Sequence, residues 1–461
     1  MKFDVIVIGS GPGGYVAAIR ASQLGKNVAI VEKAELGGIC LNWGCIPTKA
    51  LLKSAQVFEY LKHSSDYGIT SSDAKVDFDA VIKRSRGVAN GMSKGIEFLM
   101  KKNKITVIKG TAKLAGNKKV EVEAEGKKDI HEADHIILAT GARSRELPGI
   151  KIDGKKIVGY RDAMVLPEQP KSIVVIGSGA IGMEFAYFYN TLGTKVTVVE
   201  FMPRILPVED EEVSKTVEKI YKKAGMDIMT DSAVESVDTS GAGCKVTVKT
   251  KTGNINIECD VVLSAAGVVT NLENLGLEAL GIKTEKGKVE VNDYYETNVK
   301  GVYAIGDIVH GPALAHVASA EAIICAEAIA GLKPHALNYN NIPGCTYCSP
   351  EIASVGYTEA QAKEKGYEIK VGKFPFSASG KASAIGAKDG FVKVIFDAKY
   401  GEWLGCHMVG YGVTDLIAEA VVARNLETTG HEIIKSVHPH PTMSEAIMEA
   451  VALAYGECIH L

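Results

Sequence analysis

The residues best suited to chemistry in this chain are two cysteines, Cys40 and Cys45, in the stretch GGICLNWGCIPTK from Gly37 to Lys49. Thiols this close can cycle between dithiol and disulfide, or can be small buried thiols in a reduced protein. Helix geometry constrains the first reading. On a regular α-helix, Cα atoms five positions apart lie roughly 8–9 Å from each other, beyond the roughly 7 Å limit for a disulfide. An oxidised pair therefore needs a bent or irregular first turn. Gly44 and Pro47 suit one: glycine relaxes the backbone beside Cys45, and proline fits a first helical turn while disfavouring helix before itself.

A thiol attacks only as the thiolate, and free cysteine is mostly protonated at neutral pH. Dithiol chemistry therefore needs a base that titrates near neutrality, which histidine can be. The stretch HPHPTMSEA supplies His438 and His440. Each precedes a proline, which predicts extended backbone and allows a cis bond before Pro441. A helix is expected from Thr442, with Thr442 and Glu445 as a capping box. Glu445 would also orient and polarise His440. The plainer reading is a rigid turn, a capped helix and a surface histidine.

These groups must be held by elements, and the chain offers a repeated one. Residues 2–8 read as a strand, GSGPGG follows, then a helical stretch from Tyr15 to Leu24, then the strand VAIVE ending in Glu32. Gly9 makes the tight turn, Gly11 lets backbone approach a pyrophosphate, and Gly14 allows close helix–strand packing. The helix N-terminus suits phosphate and Glu32 suits ribose hydroxyls. SIVVIGSGAIGMEFAYFYNTLGTKVTVVE repeats the unit with Gly177, Gly179, Gly182 and Glu200, and both acids follow the first glycine by 23 positions. Two dinucleotide sites beside a cysteine pair imply an electron relay from a resident flavin to an exchangeable nicotinamide. Glu200 favours NAD, because a carboxylate there repels a 2′-phosphate; Arg204 is a nearby cation that would suit one.

Residues 53–103 show helical periodicity with many lysines and read as solvated helices; 104–139 alternate like strands and end at HIILATGAR. Residues 201–265 read as a helix and a meander, closing with DVVLSAAG. TNVKGVYAIGDI reads as a strand ending in Asp307, with a helix starting near Leu314. From about Tyr339, strands alternate and then give way to helices. There IPGCTYCSPEIASVG holds Cys345 and Cys348, read as structural thiols because residues three apart on a strand face opposite sides.

Together the cysteine stretch, the two glycine units, the Asp307 strand and HPHPTMSE resemble the flavin-dependent pyridine nucleotide–disulfide oxidoreductase family, over residues 3 to about 458. The resemblance implies an α/β fold: two Rossmann-like dinucleotide-binding domains, for FAD and NAD, plus a C-terminal α+β dimerisation domain. The boundaries expected are 1–143 and 266–338 for the FAD domain, 144–265 for the NAD domain and 339–461 for the interface. It implies a Cys40–Cys45 redox disulfide, His440 as acid–base with Glu445 as partner, His438 as an ordinary polar residue, and Lys49 paired with Glu184 beside the flavin. FAD would be held by Gly9, Gly11, Gly14, Glu32, Lys49, Ala112, Thr140, Gly141, Asp307, Ala313, Leu314, Ala315 and His316. NAD would be held by Gly177, Gly179, Gly182, Glu184, Glu200, Val234 and Gly267. One departure is Val268, where the family often has arginine after the glycine.

The activity implied is oxidation of protein-bound dihydrolipoamide with reduction of NAD. A homodimer is implied, with one subunit's C-terminal domain completing the other's site. The lipoyl-bearing partner would belong to a 2-oxo acid dehydrogenase or glycine cleavage complex. Rivals are a glutathione-type disulfide reductase, which would want NADP, and a mainly structural or docking subunit of a lipoyl complex. With 461 residues, 46% hydrophobic, the chain can bury sizeable cores. A net charge of −3 gives no basic footprint for nucleic acid, and no apolar run reaches a membrane span. No signal peptide is expected, because KFDVIVIG enters a strand at once. Nine cysteines, an odd number, read as mostly reduced thiols in a cytoplasmic setting, and no metal site is expected. The terminal CIHL fits a prenylation box only formally, since His460 spoils it.

Overall fold

The structure is a computed structural model and describes residues 1–71, 73–116 and 118–461. The chain divides into two compact units. The first comprises Met1–Leu51, Asp79–Arg145 and Gly267–Leu337. Its central strand, Lys2–Ile8, pairs in parallel with Val28–Glu32 on one side and Lys127–Leu138 on the other. Such a strand is covered on both faces, so it reads as a continuous apolar run. Phe3, Ile6 and Ile8 enter one core while Val5 and Val7 enter the other. Thr106–Lys109 extends the parallel edge, Val302–Ala304 pairs in parallel with Lys127–Leu138, and Thr111–Leu114 and Lys119–Ala124 complete the sheet as an antiparallel meander. The strand order reverses at Lys2–Ile8, the kind of switch point where α/β sheets bind nucleotides.

The second unit comprises Leu52–Phe78, Glu146–Ala266 and Asn338–Leu461. It repeats the pattern: Ser172–Ile176 pairs in parallel with Lys195–Val199 and with Val261–Ser264, and the sheet is wholly parallel across its five strands. Its C-terminal part is a five-stranded antiparallel sheet, with Trp403–Gly410 and Phe391–Asp397 at its centre. The helix Glu445–Tyr455 lies against that sheet so closely that a side chain on Gly372 would collide with the carbonyl of Ala450. The fold is thus α/β with two Rossmann-like sheets and a C-terminal α+β part.

Three local expectations need correction. The long helix Phe78–Lys102 is not simply solvated: Ser85, Ala89, Ile96 and Met100 are buried. The strand carrying Cys345 ends at Thr346, so the alternating-face argument does not reach Cys348, which is buried beyond it. The last helix starts at Glu445 rather than Thr442. Glu445 does accept the Thr442 amide at 2.8 Å, but the Thr442 hydroxyl donates to the Pro439 carbonyl at 2.7 Å, so the reciprocal half of a capping box is not made.

In the second unit Lys393 is buried, and its ammonium meets Asp210 at 3.0 Å, Glu212 at 2.8 Å and Glu359 at 2.7 Å. Burial alone would lower the Lys393 ammonium, but its bonds to Glu212 and Glu359 and the Asp210 charge outweigh burial and raise it. Burial would raise Asp210 and Glu212, yet the lysine contacts hold both carboxyls below their ordinary range. Depressed carboxyls stabilise the fold above about pH 4, their unfolded range, and that contribution fades as pH falls through the folded values. The raised lysine contributes below about pH 10 and loses its contribution as pH rises through its folded value. Lys393→Met leaves the buried Asp210 carboxylate without its ammonium partner, while Glu212 keeps Lys373 and Glu359 keeps Lys363. It is expected to cost about 3 kcal/mol of stability at pH 7. Thermal melts should show that deficit shrinking below about pH 4; an unchanged melt at pH 7 would contradict this reading of the network.

Candidate active site

The first glycine turn has the shape its sequence requires. Gly9 has φ +100°, and a side chain there would strike the Ala139 carbonyl, while one on Gly14 would strike the carbonyl of Gly9 itself. Gly11, by contrast, faces open space at the N-terminus of the helix Pro12–Gln23, in extended conformation. The internal turn matches: Gly177 has φ +96°, Gly182 abuts the Gly177 carbonyl, and Gly179 faces open space at the start of Ala180–Thr191. Both turns therefore present bare backbone at a helix N-terminus, which fits a pyrophosphate. Glu32 and Glu200 stand at the ends of the following strands, Glu200 buried and Glu32 half-buried.

The other residues expected at FAD gather in the first unit. Thr140 and Gly141 adjoin the Gly9 turn and are stitched to Asn271: the Thr140 hydroxyl donates to its carbonyl at 2.7 Å, and its side-chain amide donates to the Thr140 carbonyl at 3.0 Å. Asp307 lies in the turn Gly306–Ile308, which Glu321 braces by accepting the Gly306 amide at 2.6 Å. Burial pushes the Asp307 carboxyl up, and the Lys288 charge only partly opposes this. Ala313 and Leu314 lead into the helix Ala315–Ile329, with Leu314 as its N-cap and His316 in its first turn. The Ala112 side chain belongs to the core with Leu114, Val120 and Val122. In the second unit, Val234 follows Ser232, whose amide donates to the Glu200 carbonyl at 2.9 Å. Beside Gly267, the Arg145 amide donates to the glycine carbonyl at 3.0 Å, and the Arg145 guanidinium reaches the Val268 carbonyl at 3.4 Å.

Cys40 and Cys45 form a disulfide. The helix Gly38–Trp43 ends at Gly44, whose φ −146° and ψ −115° break it before Cys45 begins the next helix. That break brings the two Cα atoms to 4.7 Å, well inside the spacing of a continuous helix. Pro47 sits in the first turn after the break, where its missing N–H is harmless. The stretch is anchored at both ends. A side chain on Gly38 would collide with Gly11, so the disulfide helix begins directly on the glycine turn. Arg84, Ser85 and Arg86 of the long helix donate to the carbonyls of Ala50 at 2.6 Å, Pro47 at 2.9 Å and Asn42 at 2.6 Å. Arg86 also stacks on Trp43, 3.9 Å from its ring centre.

In the second unit, His440 Nδ1 lies 2.8 Å from Glu445 Oε1, and a cis bond joins His440 to Pro441. Burial would raise the Glu445 carboxyl, but the Thr442 amide and the His440 contact hold it below its ordinary range. An ionised Glu445 can only accept, so Nδ1 carries the proton and Nε2 keeps its lone pair as a base. The imidazole is 78% exposed, open to an incoming thiol. His438 differs: its Nε2 lies 2.8 Å from Glu419 Oε1, its Nδ1 lies 2.9 Å from the Ser436 carbonyl, and its side chain is 8% exposed. Glu184 is buried and accepts the Tyr347 amide at 3.0 Å.

Residues 3–322 match the family described as pyridine nucleotide-disulphide oxidoreductase. The chain belongs to this family. Residues 342–451 match the dimerisation domain of the pyridine nucleotide-disulphide oxidoreductases. A protein named dihydrolipoyl dehydrogenase from Zymomonas mobilis is 51% identical over 461 residues, covering 99% of both chains. One of the same name from Rhizobium etli is 51% identical, covering all of this chain and 99% of its own. The crystal structure of LpdA from Mycobacterium tuberculosis superimposes with a TM-score of 0.91 at 27% identity, covering 97% of this chain and 98% of that one. For an oxidoreductase of this family, the sequence missed the bracing by Arg84, Ser85 and Arg86, whose signal was two arginines flanking a serine amid lysines. No helix among the described residues is long and apolar enough to cross a membrane.

Proposed function

We propose that this protein is an FAD-dependent dihydrolipoyl dehydrogenase that oxidises protein-bound dihydrolipoamide and reduces NAD. The observation that carries the reading is the Cys40–Cys45 disulfide set directly on the Gly11 turn. His440 Nε2 takes the proton of one substrate thiol, and Glu445 stabilises the resulting imidazolium. The thiolate attacks the Cys40 sulfur, the Cys40–Cys45 bond breaks, and Cys45 leaves as thiolate. The second substrate thiol attacks the substrate sulfur of the mixed disulfide and closes the lipoamide disulfide, and Cys40 leaves carrying the proton of that second thiol. Two electrons thereby pass from substrate to the cysteine pair. FAD, when bound, supplies the two-electron transfer from that pair to NAD.

Gly9, Gly11, Gly14, Glu32, Thr140, Gly141, Asp307 and the start of Ala315–Ile329 would hold FAD; Gly177, Gly179, Gly182 and Glu200 would hold NAD. The residues present fit both groups, because the open faces of Gly11 and Gly179 leave room for a pyrophosphate. Lys49 and Glu184 are the proposed ion pair at the flavin. The segments 1–143 and 266–338 would serve FAD, 144–265 NAD, and 339–461 a homodimer whose C-terminal domain completes the site of the other subunit. The lipoyl-bearing partner would be a subunit of a 2-oxo acid dehydrogenase or glycine cleavage complex. Seven free cysteines support a reducing, cytoplasmic compartment.

Steady-state turnover tests the reading. Dihydrolipoamide with NAD is expected to give the highest kcat/KM, with NADP far behind. Faster reduction of glutathione disulfide by NADPH would replace it with the glutathione-type alternative.

A further inference from the structure

Two buried serines stand in the same place in the two glycine turns. The Ser10 amide and hydroxyl both donate to Glu32 Oε2, at 2.9 and 2.6 Å, while the Ala34 amide donates to Oε1 at 2.9 Å. In the internal turn, the Ser178 amide and hydroxyl donate to Glu200 Oε2 at 2.8 and 2.6 Å, and the Met202 amide donates to Oε1 at 2.8 Å. Each hydroxyl also accepts an amide at 3.2 Å, from Gly37 on Ser10 and from Leu206 on Ser178. Both serines are 0% exposed, so water cannot take over these bonds.

Acceptor bookkeeping gives the arrangement its meaning. A carboxylate offers about four acceptor positions. The protein occupies two on Oε2 and one on Oε1, leaving one on Oε1. The serine hydroxyl has one proton, committed to the carboxylate, and its lone pair takes the loop amide, so its rotor is fixed as well. We infer that Ser10 and Ser178 are positioning residues for dinucleotide binding: each locks its glutamate so that one acceptor position remains for a ribose hydroxyl donor. This rests on the reading of the two turns as FAD and NAD cradles.

The two clamps hold different loops. Ser10 fastens Gly37, the residue before the disulfide helix Gly38–Trp43. Ser178 fastens Leu206, a residue at φ +48° in the loop that carries Arg204, whose guanidinium is turned to the Pro207 carbonyl at 3.1 Å. Losing the serine hydroxyl removes one of the two bonds to Oε2, so the carboxylate is held only by the serine's own amide and the Ala34 or Met202 amide and is less firmly oriented. The Gly37 amide loses its hydroxyl acceptor, whereas the Leu206 amide keeps the Ser178 carbonyl at 3.2 Å.

The test uses the full-length holoenzyme and reads binding rather than turnover. Ser178→Ala is expected to weaken NADH binding roughly tenfold, the scale of one charge-assisted hydrogen bond, in a fluorescence titration, with the rate of FAD release unchanged. Ser10→Ala is expected to accelerate FAD release and leave NADH affinity unchanged. In a Glu200→Ala background, Ser178→Ala should add less than about a twofold effect, since it acts through that carboxylate. Ser178→Cys keeps a donor at the position, slightly larger and a weak hydrogen-bonder, and gives the same direction should the alanine variant not fold. Unchanged NADH affinity in Ser178→Ala, or an equal loss with and without Glu200, overturns the inference. Wild-type protein that binds no NADH overturns the cradle reading instead.

Discussion

Replacing Cys45 with serine is expected to lower NAD-linked oxidation of dihydrolipoamide by on the order of ten thousandfold or more, the scale seen when a reactive unit loses a member, while the yellow flavin stays bound. Without Cys45, Cys40 has no disulfide partner, and a substrate thiolate finds no electrophilic sulfur to attack. The cradle is untouched by the change, because Gly9, Gly11, Gly14 and Glu32 are positioned by their own strand and helix. Bound flavin per chain from the visible spectrum, alongside turnover, checks both halves. Protein that purifies colourless would show that the disulfide segment holds the flavin as well as reacting, contrary to the division of roles drawn here.

His440→Ala is expected to slow dihydrolipoamide oxidation by about 10²–10⁴-fold, the usual worth of a general acid–base. Oxidation of NADH by an artificial electron acceptor should change far less, because that reaction needs no thiol deprotonation. Glu445→Gln should fall between, since the amide can still orient the ring but cannot offset the imidazolium charge. The Glu445 carboxyl is held below its ordinary range, so its support of His440 is present above about pH 4 and fades as pH falls through the folded value. Equal losses in the dithiol and artificial-acceptor assays would remove His440 from the proton step.

The glycine turns and their acids could be read from sequence because the 23-position interval is imposed by geometry: one strand end, one turn, one helix and one strand fit in that length. The break at Gly44 was equally readable, since a five-residue spacing cannot bridge on a continuous helix. The bracing of the disulfide segment was not. Arg84, Ser85 and Arg86 sit on a lysine-rich helix, and which face meets Asn42, Pro47 and Ala50 depends on tertiary packing. Nor could the start of the last helix be placed, because one oxygen of Glu445 is taken by His440 and the other by the Thr442 amide. Ser10 and Ser178 went unnoticed for another reason: inside a glycine-rich turn a serine reads as a small spacer, and only the folded chain sets it against the acid 22 positions on.

Anaerobic titration of the purified protein with dihydrolipoamide, followed by NAD, tests the central claim most directly. A long-wavelength absorption band appearing after two electrons, and removed when NAD is added, is the result expected if dithiol, flavin and nicotinamide act in series. A flavin spectrum left unchanged by dihydrolipoamide would contradict the account.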